Sequence, residues 1–198
     1  MQDTYRTIAA PTESIYKEKG SKFLAFAYPV YSEEEIKENL AELRKKYFDA
    51  RHHCYAYTLG ADKTRYRAND DGEPNHSAGD PILGQIRSAD LSNVLVVVVR
   101  YFGGTKLGVS GLINAYKTST ADALAEATII EKHETLLLNI YFKYPQMNDV
   151  MSLVKEYNLD VRNQQFELSC KLTIEVRKQL QQEVTSKLES IDGVRVES

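Results

Sequence analysis

The sequence has no tryptophan, only two cysteines, few prolines and no apolar run long enough to span a bilayer. Cys54 and Cys170 lie far apart and outside any CxxC pattern. That argues against a disulfide framework or a cysteine-based zinc module, and it fits a reducing compartment. The opening MQDTYRTIAAPTES offers neither a basic n-region nor an apolar h-region. The expectation is a cytoplasmic chain with no membrane association. No large excess of one charge is present either: the net charge of −3 leaves nucleic acid to a local basic patch rather than to a global field. Internal repeats and low-complexity tracts are absent. So are the P-loop and GxGxxG patterns, and no cofactor is expected. What is present is ordinary for globular protein: 198 residues, 42% hydrophobic and 27% charged, enough for one large domain or two small ones.

The longest apolar run, Val94 to Val99, is short and β-branched, and reads as a strand buried on both faces. It ends in Arg100, Tyr101 and Phe102. Gly103, Gly104, Lys106, Gly108 and Gly111 follow, and from Val109 to about Ala127 the pattern is helical. A buried strand, a glycine loop with a lysine, and a helix start make a sensible anion cradle, because helix N-termini present free N–H groups and partial positive charge. Spacing alone equally fits a tight turn whose glycines only satisfy geometry. Ser110, Asn114 and Lys117 lie on one helix face, where they could hold phosphate or simply be solvated.

Elsewhere the chain reads as α+β, in two domains. Residues 1–14 are expected to be a polar arm. Residues 15–130 form the first domain, with strands at 15–19 and 22–28. A capping box at Ser32 and Glu35 opens a helix with Ile36, Leu40, Leu43 and Tyr47 on one face. A strand at His52–Leu59, a long loop at 60–80 and a helix at Pro81–Ser88 precede the glycine-loop unit. Residues 131–198 follow a β-α-β-β-α-β order, the split ferredoxin-like plait. In it, Phe166 to Val176 alternate as one unbroken strand, and Pro145 opens a helix that carries Met147, Val150, Met151, Val154 and Tyr157 inward.

Two further groups could carry chemistry. Asp70, Asp71 and Glu73, with His76 and Asp80 close by, could bind a hard divalent cation or supply a general acid or base. They could instead form a turn whose side chains bond their own backbone. No metal site is assigned with them. In His52-His53-Cys54 the two histidines point to opposite faces of a strand, while His52 and Cys54 share a face and could meet one ligand. His53 could still meet His76 in space, and a buried small cysteine is the plainer reading of Cys54.

Together these stretches resemble the YigZ/IMPACT family. The resemblance rests on Ser21-Lys22-Phe23, on Asp49-Ala50 with His53-Cys54-Tyr55-Ala56-Tyr57, and on Asp70-Asp71-Gly72-Glu73-Pro74. It continues through Ala78-Gly79 and Pro81-Ile82-Leu83. Above all it rests on Val99-Arg100-Tyr101-Phe102-Gly103-Gly104-Thr105-Lys106-Leu107-Gly108, with Gly111-Leu112 and Ala115-Tyr116. The chain departs from the family pattern at His76-Ser77, where Gly-Thr is usual, and at Ser110 and Asn114, where Gly and Arg are usual. The resemblance implies a first domain with the α/β fold of a small-subunit ribosomal protein domain and elongation factor G domain IV, and a ferredoxin-like second domain. It implies a link to translational control and no catalytic mechanism. The leading expectation is a non-enzymatic binding protein for RNA or the translation machinery. In it, Arg100, Lys106 and Lys117 would take phosphates, Tyr101 and Phe102 would stack, and Lys22 and His53 are further motif positions. The rivals are a metal-dependent enzyme acting on a phosphorylated or nucleotide substrate, and a protein-interaction module.

Overall fold

The computed structural model describes residues 3–198, which fall into two compact units, Thr4–Lys132 and Asp3 with His133–Ser198. The first contains β1 (Thr4–Ile8), β2 (Thr12–Glu18), β3 (Ser21–Pro29), α1 (Glu33–Lys46), β4 (His52–Leu59), β5 (Arg65–Asn69), α2 (Gly79–Ser88), β6 (Val94–Tyr101), α3 (Gly108–Ala125) and all but the last residue of β7 (Ile129–His133). Five strands form one sheet in the order β2-β3-β6-β4-β5, every neighbour antiparallel. β6 is central, as its apolar run requires, and all six residues from Val94 to Val99 are 0% exposed. Burying a side chain of this size contributes about 1.5–3 kcal/mol relative to exposure.

Alternation along β6 divides the core between two helical layers. Val94, Val96 and Val98 pack with Ile82, Leu83 and Ile86 of α2 and with Leu112, Ala115 and Tyr116 of α3. Leu95, Val97 and Val99 pack with Ile36 and Leu43 of α1. Ser32 caps α1, its Oγ accepting from the Glu35 N–H at 3.2 Å. The Glu35 carboxylate reaches past the cap residue to the N–H of Tyr31 at 2.8 Å. This differs from the expected reciprocal box by one residue.

Three other expectations are corrected. The expected arm at 1–14 contains β1 and the start of β2, held by main-chain pairing with β7 and β3; its first two residues lie outside the described ones. The expected loop at 60–80 contains β5, which pairs with β4 from Tyr55↔Asn69 to Leu59↔Arg65. Its side chains are exposed or half-buried, so it carries no apolar alternation. The short helix starts at Gly79, two residues before Pro81.

The second unit contains β8 (Thr135–Phe142), α4 (Met147–Glu156), β9 (Asp160–Phe166), β10 (Cys170–Arg177), α5 (Gln181–Glu189) and β11 (Arg195–Glu197). Its sheet runs β11-β8-β10-β9, again antiparallel. Leu138, Ile140, Leu172 and Ile174 pack against Val150, Val154, Val184 and Leu188. The alternating run expected to be one strand is broken. Cys170 pairs back onto Phe166, and Leu168 at the turn is fully exposed. Pro145 lies in a 3-10 turn, Tyr144–Gln146, ahead of α4, and Met151 faces outward. No helix among the described residues is long and apolar enough to cross a membrane.

Asp3 is tied into this unit. Its carboxylate accepts from Arg177 Nη2 at 2.8 Å and from the Gln179 N–H at 3.0 Å. The Arg177 guanidinium holds its carboxyl down, from an ordinary 3.8 to about 2. A depressed carboxyl pKa contributes stability that is present above the unfolded value and lost as pH falls through the folded one. Urea unfolding should find Asp3→Asn weaker than wild type at neutral pH. The gap should close as pH falls from about 4 towards 2; a gap that persists at the acid end would show the carboxylate charge to be unimportant.

Candidate anion-binding site

Arg100 has the parity of Val94, Val96 and Val98, so its side chain leaves β6 on the α2/α3 face. It is 6% exposed and pairs with Glu73, itself 8% exposed, through Nη1 to Oε1 at 2.6 Å. The guanidinium lies 5.5 Å from the Phe23 ring centroid and 5.7 Å from that of Phe102. Its Nε is buried with no hydrogen-bond acceptor among the described residues. The Tyr116 hydroxyl also donates to Glu73 Oε1, at 2.8 Å. The Cys54 thiol donates to the Asp70 carbonyl at 3.0 Å and to the Tyr116 oxygen at 3.3 Å. Burial pushes both the Tyr116 phenol and the Cys54 thiol up, so both stay protonated. A thiol held in that form is a packing group rather than a nucleophile.

The acidic loop is committed to structure. Asp70 Oδ1 accepts from the N–H groups of Ala78 and Gly79 at 3.0 and 2.8 Å, and Oδ2 from that of His76 at 2.9 Å. It thus caps α2, whose own cap residue, Ala78, has no side chain to do so. Asp71 Oδ2 accepts from the His53 N–H at 2.7 Å, and Oδ1 from Arg44 at 3.1 Å. With Glu73 spent on Arg100 and Tyr116, the carboxylates that a divalent cation would need are occupied. Among the described residues no group of three or more His, Cys, Asp or Glu could hold a metal ion.

His53 and His76 do not share a partner. His53 is buried, and its Nε2 lies 3.1 Å from the Tyr47 carbonyl. Desolvation lowers its pKa, so it stays neutral. His76 Nδ1 sits 2.5 Å from Asp80 Oδ2 on the surface. His76 has φ +64°, in the left-handed region that favours glycine. Ser77 donates its hydroxyl to the Pro74 carbonyl at 2.6 Å. His76→Gly should therefore be tolerated within about 1 kcal/mol, strain relief offsetting backbone entropy. A denaturation midpoint far below wild type would mean the His76 contacts outweigh its strain.

A pocket of about 450 Å³ opens where these elements meet the start of α3. Its charged lining is Arg51, Arg100 and Lys106 against the single carboxylate of Glu73. Its apolar lining includes Pro74, Phe102, Leu107 and Leu112. Gly108 and Val109 bring the N-terminus of α3 into the wall, and no side chain among the described residues caps that end. His52 completes it. Its Nδ1 is 2.8 Å from the Asp71 carbonyl, so that nitrogen carries the proton. Its Nε2 is 3.9 Å from Glu73, beyond hydrogen-bond range. Arg51 and Lys106 are exposed and make no ion pair among the described residues.

Sequence-selected residues thus divide. Arg100, Phe102, Lys106, Gly108 and Glu73 converge in the pocket. Tyr101 faces the α1 side, its hydroxyl donating to Asp49 at 2.7 Å. Gly103 packs on the β2–β3 turn, and Gly104 is exposed. Ser110, Asn114 and Lys117 are exposed along α3 and line no part of the pocket. Lys117 sits roughly 14 Å along the axis from Gly108, at about 1.5 Å per residue. Arg51 and Tyr116 are not among the site residues the sequence leads one to expect, and His52 is expected only as a possible partner of Cys54 on one strand face. Tyr116 carried a signal, the Ala115-Tyr116 pair; Arg51 carried none.

A model of the Impact N-terminal domain matches residues 19–124. The chain is 31% identical over 156 residues to the IMPACT family member YvyE of Bacillus subtilis, covering 79% of this chain and 72% of that protein. It is 41% identical over 140 residues to an IMPACT family member of Thermus thermophilus, covering 71% and 75%. A crystal structure of a hypothetical protein superposes with a TM-score of 0.76 at 27% identity, over 99% of this chain and 97% of that one. This chain belongs to the IMPACT family.

Proposed function

We propose that the protein is a cytoplasmic, non-enzymatic binding protein that takes phosphate groups of RNA, or of the translation machinery, in the pocket at the start of α3, and that it modulates translation. In this reading the first unit has the fold of elongation factor G domain IV and the second is a ferredoxin-like plait. The observation that carries the proposal is the convergence of Arg51, Lys106, the buried Arg100 with its unpartnered Nε, and the uncapped α3 N-terminus on one pocket. Free N–H groups and cations in a concave, partly apolar wall favour a phosphoryl group. The engagement of Asp70, Asp71 and Glu73 by backbone and ion pairs weighs against a metal-dependent enzyme.

The test is binding of an RNA panel and of purified ribosomes at two salt concentrations, with wild type and Arg51→Ala/Lys106→Ala. Arg100 is a poor probe because its removal strands Glu73. Wild type should bind in a salt-dependent way. The double variant should lose about 1.4 from the slope of log affinity against log salt, about 0.7 for each single-strand phosphate contact. Binding unaffected by salt and by both substitutions would overturn the reading.

A further inference from the structure

Phe102 is 52% exposed and walls two pockets. One is the anion pocket on the α3 side. The other, about 480 Å³, includes Lys17, Lys22, Ile15, Leu24 and Tyr101. Tyr101 has the parity of Val97 and Val99, so this pocket opens on the α1 side of the sheet. Its two lysines are placed in an unfavourable way. The register of β2 and β3 sets Lys17 directly opposite Lys22, and Lys22 opposite Tyr101 on β6. Like charges facing across an antiparallel pair destabilise a sheet. Both are exposed, and neither makes an ion pair among the described residues. The nearby acids are engaged: Asp49 accepts from Tyr101 at 2.7 Å and Glu18 from Tyr16 at 3.0 Å.

The lysines are also fixed relative to the glycine loop. Gly103 lies so close to Gly20, at the β2–β3 turn, that a Cβ on it would fall 1.9 Å from the Gly20 carbonyl carbon. The Gly103 N–H donates to Ser21 Oγ at 3.2 Å. The hairpin tip and the loop carrying Phe102 and Lys106 are thereby held together.

Resting on the function proposed above, we infer that the ligand is a single-stranded polynucleotide that rounds the end of the sheet at Phe102. One phosphate sits in the Arg51–Lys106 pocket, a base stacks on the Phe102 ring, and neighbouring phosphates lie at Lys22 and Lys17. An exposed aromatic ring between two sets of cations matches the alternation of phosphate and base. A duplex keeps its bases stacked inside and offers none to the ring, whereas single strands stack on aromatic side chains. An acidic peptide would satisfy the lysines but leave the ring without a partner.

The test is fluorescence anisotropy with a short labelled oligouridylate and an RNA duplex of equal charge. The variants are Lys17→Gln/Lys22→Gln, Phe102→Leu and Lys106→Gln. The single strand should bind at least about tenfold tighter than the duplex, and Phe102→Leu should weaken it about tenfold with the salt slope unchanged. Lys17→Gln/Lys22→Gln should lower the slope by about 1.4, while melting no lower than wild type because the opposed charges are gone. Equal binding of the duplex, or an unchanged slope without the two lysines, overturns the path. Dependence on Lys106 would still leave the anion pocket standing. Competition by polyglutamate as strong as by unlabelled oligouridylate overturns the choice of nucleic acid. Failure of wild type to bind either RNA overturns both proposals.

Discussion

Chemical denaturation of Glu73→Gln is expected to show a loss of about 3–5 kcal/mol, the usual cost of stranding one member of a buried ion pair. Glutamine keeps the shape and an oxygen that can accept from Tyr116, so the loss isolates the charge. Arg100 is 6% exposed, and in the variant it would keep only the neutral amide oxygen at position 73, which it shares with Tyr116, and the aromatic rings of Phe23 and Phe102. Their attraction for a desolvated cation is worth about 2 kcal/mol, too little to replace a carboxylate at hydrogen-bond distance. Removing both charges, as Glu73→Leu/Arg100→Met, should be far milder than the sum of the single changes, because no uncompensated ion remains. The variant also examines the anion site. With its counter-charge removed, Arg100 should draw on an added anion. Inorganic phosphate should therefore raise the denaturation midpoint of Glu73→Gln more than that of wild type. A loss under about 1 kcal/mol would mean that water reaches the pair and screens it like a surface ion pair.

The sequence carried the centre of the first unit well and its margins poorly, for a physical reason. A strand buried on both faces must be apolar throughout, so β6 announces itself, as does the helix after it. β2 and β5 lie at sheet edges and β1 in a two-stranded pair, all held by main-chain hydrogen bonds; the side chains of β2 and β5 are half-buried or exposed, whereas Tyr5, Thr7 and Ile8 of β1 are buried. The strand expected at 15–19 overlaps β2, which begins earlier, at Thr12, while β1 falls in the expected arm and β5 in the expected loop, where five residues give too little alternation to stand out. In the second unit the reverse occurred. Phe166 to Val176 alternates so regularly that the turn at Leu168 left no mark, because an exposed leucine reads like a buried one. The site shows the same limit. Lys106 and the glycine loop were legible as one stretch. Arg100 was legible as a cation but not as a neutralised one, because its partner Glu73 comes from a loop that is positioned through Asp70 and the start of α2. Lys17 reaches the site through strand register, and Arg51 by preceding β4, and neither position has a local signature.

Gly103→Ala is expected to be the most damaging single methyl in the first unit. The added carbon would meet the Gly20 carbon at 1.9 Å, the Ser21 nitrogen at 2.2 Å and the Gly20 oxygen at 2.3 Å. All three are backbone atoms, so no rotamer change can relieve the overlap. The β2–β3 turn must instead lift off the glycine loop. Overpacking usually costs about 1–3 kcal/mol, and this contact belongs at or above the top of that range. Gly104→Ala is the control. Nothing lies within 4 Å of its added carbon, but its φ is +88°. Its cost should be the strain of a left-handed backbone alone, about 1–2 kcal/mol. The two variants should also separate in binding. Lifting the hairpin tip carries Lys17 and Lys22 away from Phe102 while leaving Lys106 at the start of α3. Gly103→Ala should therefore reproduce the reduced salt slope of Lys17→Gln/Lys22→Gln, and Gly104→Ala should keep the wild-type slope. Equal stability costs for the two would mean that close packing is not what demands glycine at 103. An unchanged slope in a destabilised Gly103→Ala would mean that the hairpin's lysines act independently of their contact with the loop.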